Sequence, residues 1–165
     1  MISVVGIPYD ESSSFLRGPA LAPAKIREAF HSDSANYFTE SGTDLKHHIA
    51  ITDSGDVALD KSISVPISIE SSLDRVLSHY DRILTLGGDH SITYPVVKAF
   101  AKKYPRLAIL HLDAHGDLYD HFNGDKYSHA CPFARIMEEG LAVQLVQAGI
   151  RTLSTHQREQ AARFG

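Results

Sequence analysis

The 165-residue sequence predicts an α/β fold of three layers, with a parallel sheet between helices. Three observations carry that prediction. Short apolar runs alternate with stretches of helical period along the whole chain, which is the pattern of βαβ units. Two of the apolar runs end in polar side chains, as strands do where a sheet presents a ligand site. No internal repeat, low-complexity tract or linker divides the chain, so residues 1–165 are expected to form part of a single domain.

Taken in order, "ISVVGI" (2–7) reads as a buried strand and "PAKIREAF" (23–30) as a helix that starts at proline. "HHIAIT" (47–52) reads as the second strand, and "SIESSLDRVLSHY" (68–80) as a helix with Leu73, Val76, Leu77 and Tyr80 on one face. "RILTLGG" (82–88) is the third strand and "SITYPVVKAFAKKY" (91–104) the helix after it. "RLAILHLD" (106–113) is the fourth strand, followed by a polar loop, the helix "PFARIMEEG", the strand "VQLVQAGI" and a last helix in "HQREQAARFG".

Composition narrows the function. A net charge of -4 with 43% hydrophobic residues suits a soluble domain with a real core. No Lys/Arg cluster interleaved with aromatics offers a phosphate-binding stripe, so nucleic acid is not an expected partner. The N-terminal "MISVVGIPYDESS" has no basic leader region, and its apolar run is too short to span a bilayer, so no membrane partner is expected. Cys131 is the only cysteine, which rules out an intrachain disulfide and points to a reducing compartment. The resulting expectation is a cytoplasmic protein. Of the ten histidines, His31, His47, His48, His79 and His156 are expected on surfaces and turns.

The chemistry is concentrated at two strand ends. In "LTLGGDHS", Gly87 and Gly88 allow a tight turn that delivers Asp89 and His90 to the rim of the sheet. In "LAILHLDAHGD", packing residues give way to His111, Asp113, His115 and Asp117. Period-two alternation would point Asp113, His115 and Asp117 to one side, with Ala114 and Gly116 small enough to admit a cation. Two carboxylates and an imidazole without thiolate form a hard N/O set suited to Mn2+, Mg2+, Fe2+ or Zn2+. A plainer reading makes the segment a polar loop capping neighbouring helices. If a crossover brings His90 beside the loop, four ligands converge: His90, Asp113, His115 and Asp117. That exceeds what one catalytic zinc needs and suggests two metals with Asp113 as the bridge. Asp89 then reads as an outer carboxylate that orients a ligand.

These residues resemble the arginase and agmatinase group of ureohydrolases. "GGDHS" (87–91) and "DAHGD" (113–117) are similar to its first two metal motifs, and "GIPYD" with "RGPALAPAKIREAF" to its N-terminal stretch. "YSHACPFARIMEE" resembles agmatinase-like members most closely. The resemblance implies an arginase-like sheet and two Mn2+ ions, one held by His90, Asp113 and Asp117, the other by Asp113 and His115. It makes His129 the active-site histidine that handles a proton, with Asp113 as the other catalytic residue. It further implies a small guanidino substrate, agmatine in the first instance, urea as product, and a homo-oligomer in the complete form. A guanidinium carbon is poorly electrophilic, so neutral hydrolysis needs water acidified by metal from 15.7 toward about 7.

Two departures stand out. The family's later Asp-x-Asp motif has no counterpart, since no aspartate follows Asp125. The chain is therefore expected to be the N-terminal half of a ureohydrolase, stopping after about the fifth strand-helix unit. "SHACPF" also differs from the Gly-Thr type of sequence found in many members. Three other readings compete: a single-zinc deacylase of the same fold using Asp113 and His115, a Cys131–His129 nucleophile pair, and a truncated, non-catalytic interaction module with an open sheet edge.

Overall fold

The computed structural model describes residues 1–48 and 50–164. Its elements are β1 (Ile2–Ile7), α1 (Ala22–Phe30), α2 (Leu45–His48), β2 (Ile51–Asp56), α3 (Val65–Leu77), β3 (Arg82–Gly87), α4 (Thr93–Lys103), β4 (Ala108–Leu112), α5 (Pro132–Glu138), β5 (Gln144–Ala148) and α6 (Thr155–Phe164). Proline sits in the first turn of α1, α3 and α5, where its missing N–H costs nothing.

Strands β2, β1 and β3 pair in parallel in that order, and β4 pairs in parallel with β5. On β1, Ser3, Val5 and Ile7 are buried along one face, and Gly6 is buried too. Val5 and Ile7 are buried against Ile69, Leu73 and Leu77 of α3 and Ala99 of α4. Arg27 of α1 reaches Asp53 and Asp56 at the end of β2. A second cluster joins Tyr94 of α4 to Leu118, Phe133 and Ile136, with Ile109, Leu145 and Phe164 packed against it. Helix α4 thus contributes to both cores, through Ala99 and Tyr94.

Burial dominates this joint. Lys102 of α4 meets Glu70 and Asp74 of α3 at 2.6 Å each, but the lysine is 51% exposed, so each pair is worth at most about 1 kcal/mol. Leu73, fully buried in the same seam, contributes roughly 2–3 kcal/mol.

The structure departs from the sequence reading in two places. The strand expected at 47–52 starts only at Ile51, because His47 and His48 close the short helix α2; Ile49, inside that run, lies outside the described residues. The strands also form two sheets where one was expected, since among the described residues β4 pairs only with β5. One face of that pair is covered, through Ile109, His111 and Leu145. The other is bare, with Leu110, Leu112 and Val146 at 66%, 73% and 46% exposure. Among the described residues no helix is long and apolar enough to cross a membrane.

Candidate metal centre

The corner after β3 is held by a close backbone approach. A Cβ on Gly88 would lie 1.7 Å from the Tyr9 carbonyl oxygen, and the Asp89 amide donates to that same oxygen at 2.8 Å. Neither Gly87 nor Gly88 has a positive φ, so glycine is required here for space and not for a left-handed turn. Asp89 caps the following 3-10 turn by accepting from the Ser91 amide at 3.0 Å, and it receives the Ser13 hydroxyl at 3.3 Å. It therefore fixes the backbone that presents His90.

After β4 the chain turns at once. Asp113 Oδ1 accepts from the His115 amide at 2.8 Å, the Asp113 amide donates to Ala148 O, and Asp117 adopts a left-handed backbone with φ 47°. Aspartate tolerates that conformation better than most residues. The Asp117 carbonyl accepts from the Phe133 amide at the start of α5. Strand alternation ends at Leu112, so the convergence expected from period two is made by a turn instead. That turn sends His115 outward, 63% exposed, with Nδ1 3.3 Å from Asp113 Oδ1.

The two corners meet. His90 Nδ1 lies 2.5 Å from Asp117 Oδ2, although β3 and β4 belong to different sheets. His90, His111, Asp113 and Asp117 each offer a donor atom within 4.8 Å of the others. Phe133 floors the group, its ring centroid 4.2 Å from that of His111 and 5.6 Å from that of His90. His111 is 7% exposed, and its Nε2 is a buried atom with no hydrogen-bond partner among the described residues, 3.5 Å from Asp113 Oδ2.

Burial, reinforced by the His90 charge, pushes the His111 imidazole below the usual histidine range and keeps it neutral near pH 7. Burial pushes the Asp113 carboxyl up, but the His115 amide and the His111 and His90 rings outweigh it and hold it below the usual carboxylate range. Two carboxylates with the His90 imidazole, and no thiolate among them, suit a divalent cation of the harder type.

His129 and His115 stand outside that four-residue group. His129 donates from Nδ1 to the Ser12 carbonyl at 2.7 Å, leaving Nε2 as the acceptor of the Ser14 hydroxyl at 3.3 Å. The loop after β1 thus holds Asp89 through Ser13 and His129 through Ser12 and Ser14. Cys131 is fully buried, and burial pushes its thiol up to about 12, which removes the thiolate a nucleophile pair would need. Among the surface histidines, His31, His47 and His79 are exposed, while His156 is half-buried and meets Asp120 at 2.9 Å.

The arginase family model matches residues 1–165. The chain belongs to the arginase family. It is 48% identical to mitochondrial arginase 1 of Arabidopsis thaliana, over 99% of this chain and 50% of that protein. It is 36% identical to a guanidinobutyrase of Pseudomonas aeruginosa, over 89% of this chain and 47% of that protein. The solved arginase of Medicago truncatula superposes with a TM-score of 0.90 at 44% identity, covering 99% of this chain and 54% of that one. The chain spans about half the length of the curated relatives it matches. The arginase-family match sets aside the single-zinc deacylase reading.

One expectation is overturned by these relatives. The matching arginases of Arabidopsis, rice and Medicago are mitochondrial, which conflicts with a cytoplasmic placement of this arginase-family chain. A lone thiol and mild acidity fit any reducing compartment, so composition had no power to choose between them.

His111 and Gln147 are the residues of this site that motif reading left without a role. His111 shared the odd-numbered spacing of the ligands, which marked it as unusual, but that spacing says nothing about its partner. Gln147, on β5, carried no signal at all.

Proposed function

We propose that the protein is a manganese-dependent hydrolase that releases urea from a guanidino compound, and that these residues supply the first part of its metal centre. The observation that carries the reading is the group of His90, Asp113 and Asp117, with His115 beside Asp113. This arrangement supports one cation among His90, Asp113 and Asp117 and a second between Asp113 and His115, with Asp113 shared. A cation bound there would supply acidified water to the guanidinium carbon.

The chain's own residues do the rest. Asp113 and Asp117 hold negative charge against the cations, and the His115 amide keeps the shared carboxylate in one orientation. His129, with Nδ1 committed to the Ser12 carbonyl, keeps Nε2 free to take up the proton that the attacking water sheds and pass it to the departing nitrogen; Ser14 lies within reach of the same atom.

Arginine now takes precedence over the agmatine suggested by local resemblance. Relatives named arginase are 44–48% identical to this chain, against 36% for the guanidinobutyrase and 34% for the solved agmatine ureohydrolase of Thermoplasma volcanium. The test is a urea assay on the chain as given, and on the chain continued by the second half of the Medicago arginase, with arginine, agmatine and 4-guanidinobutyrate. Mn2+-dependent urea release, fastest from arginine, is expected of the continued chain. Failure with all three compounds would sink the activity, and a preference for agmatine would sink only the substrate.

A further inference from the structure

Gln147 places one side-chain nitrogen against two site residues. Its Nε2 lies 2.7 Å from the Gly116 carbonyl oxygen and 3.0 Å from His111 Nδ1. A carbonyl only accepts, so the amide nitrogen must face Gly116; flipping the amide would set oxygen against oxygen. The second proton of the same nitrogen then reaches His111 Nδ1. A ring nitrogen that receives a proton does not carry one, which leaves the single proton of neutral His111 on Nε2. That atom is buried, has no hydrogen-bond partner among the described residues and lies 3.5 Å from Asp113 Oδ2. Packing of the ring on Phe133 leaves it little room to turn.

We propose that Gln147 is a positioning residue: its amide fixes His111 in the tautomer that bears a proton on Nε2, so His111 donates toward Asp113 and is not itself a metal ligand. Asp113 then has Oδ1 held by the His115 amide, while the His111 Nε2 proton faces Oδ2 across 3.5 Å. Although four residues gather at the site, only three of them keep a lone pair or charge for a cation. The inference rests on the reading of Asp113 as a ligand.

The experiment is a two-bond proton–nitrogen correlation spectrum of the protein with 15N-labelled histidines, first cation-free and then titrated with diamagnetic Zn2+. His111 is expected to show the Nε2–H tautomer throughout, while His90 and His115 nitrogens shift as zinc binds. An Nδ1–H tautomer, or a His111 Nε2 that shifts as a ligand, overturns the proposal. If His90 and His115 ignore zinc while His111 keeps its Nε2 proton, the metal-centre reading fails and the hydrogen-bond assignment stands. In Gln147→Met, which keeps the length and removes the amide, a mixture of tautomers and about tenfold weaker cation binding are expected. Retention of a pure Nε2–H tautomer in that variant overturns the role of Gln147. The native spectrum stands as a test whether or not the variant folds.

Discussion

The two halves of the molecule build the site by different means. The sheet of β2, β1 and β3 has an aliphatic core and delivers one side chain of the candidate site, His90, from a corner whose shape depends on Tyr9, far away in sequence. The pair β4–β5 packs around Phe133 and delivers His111 from β4 and Asp113, His115 and Asp117 from the turn after it, which is stabilised largely by its own amides and by the adjacent β5. A ligand carried alone needs long-range support, whereas a cluster on one turn can be nearly self-contained. The halves are tied by α4, by the contact of His90 with Asp117, and by the serine loop after β1.

Removing the shared ligand tests the self-contained half. Asp113→Asn should weaken Mn2+ binding more than about 100-fold, beyond what loss of an outer partner costs, and nearly abolish urea release by the continued chain. Calorimetric titration checks it, and binding within tenfold of native would show that Asp113 is not shared. The dependent half is tested by Gly88→Ala. A methyl group pressed against the Tyr9 carbonyl should cost at least about 3 kcal/mol in chemical denaturation. An unchanged midpoint would mean that the loop after β1 yields freely.

The tie through α4 is pH-dependent. Burial pushes the Glu139 carboxyl up, but the Tyr94 hydroxyl at 2.6 Å and the Lys98 ammonium at 2.9 Å outweigh it and hold it below the usual glutamate range. Its contribution is therefore complete above the unfolded value near 4.3 and is lost as pH falls through the lower folded value. Stability measured from pH 7 down to pH 3 should show Glu139→Gln below native at neutrality and converging with it in acid; parallel curves would break the assignment. The smallest effect is expected from Ser13→Ala, about 0.5–1 kcal/mol, because it removes one partly exposed hydrogen bond to Asp89. A loss several times larger would mean that the loop carries more of the joint than its contacts suggest.

Much of this was legible in the sequence, and the failures have physical causes. Strand and helix alternation follows from local periodicity, and glycine-flanked strand ends locate the chemistry, so the corners at His90 and Asp113–Asp117 could be found. Which strands pair is a long-range matter, and nothing near β4 encodes that it pairs with β5 and not with β3. Alternation failed beyond Leu112 because the strand stops there and a side-chain-to-backbone turn takes over, sending His115 outward. The role of His111 depends on Gln147, 36 residues on, in another strand. Cys131 stands beside His129 in sequence, and only the packing of the residue that precedes α5 buries it.

That buried cysteine makes the molecule its own stopwatch. As the sole thiol, fully enclosed and lying next to Pro132 and Phe133, Cys131 should react with a thiol reagent only while the α5 corner is open. Its labelling rate then counts openings of the floor beneath the ligands, with no engineered probe, and slower labelling in the presence of Mn2+ would measure how firmly a bound cation closes that floor.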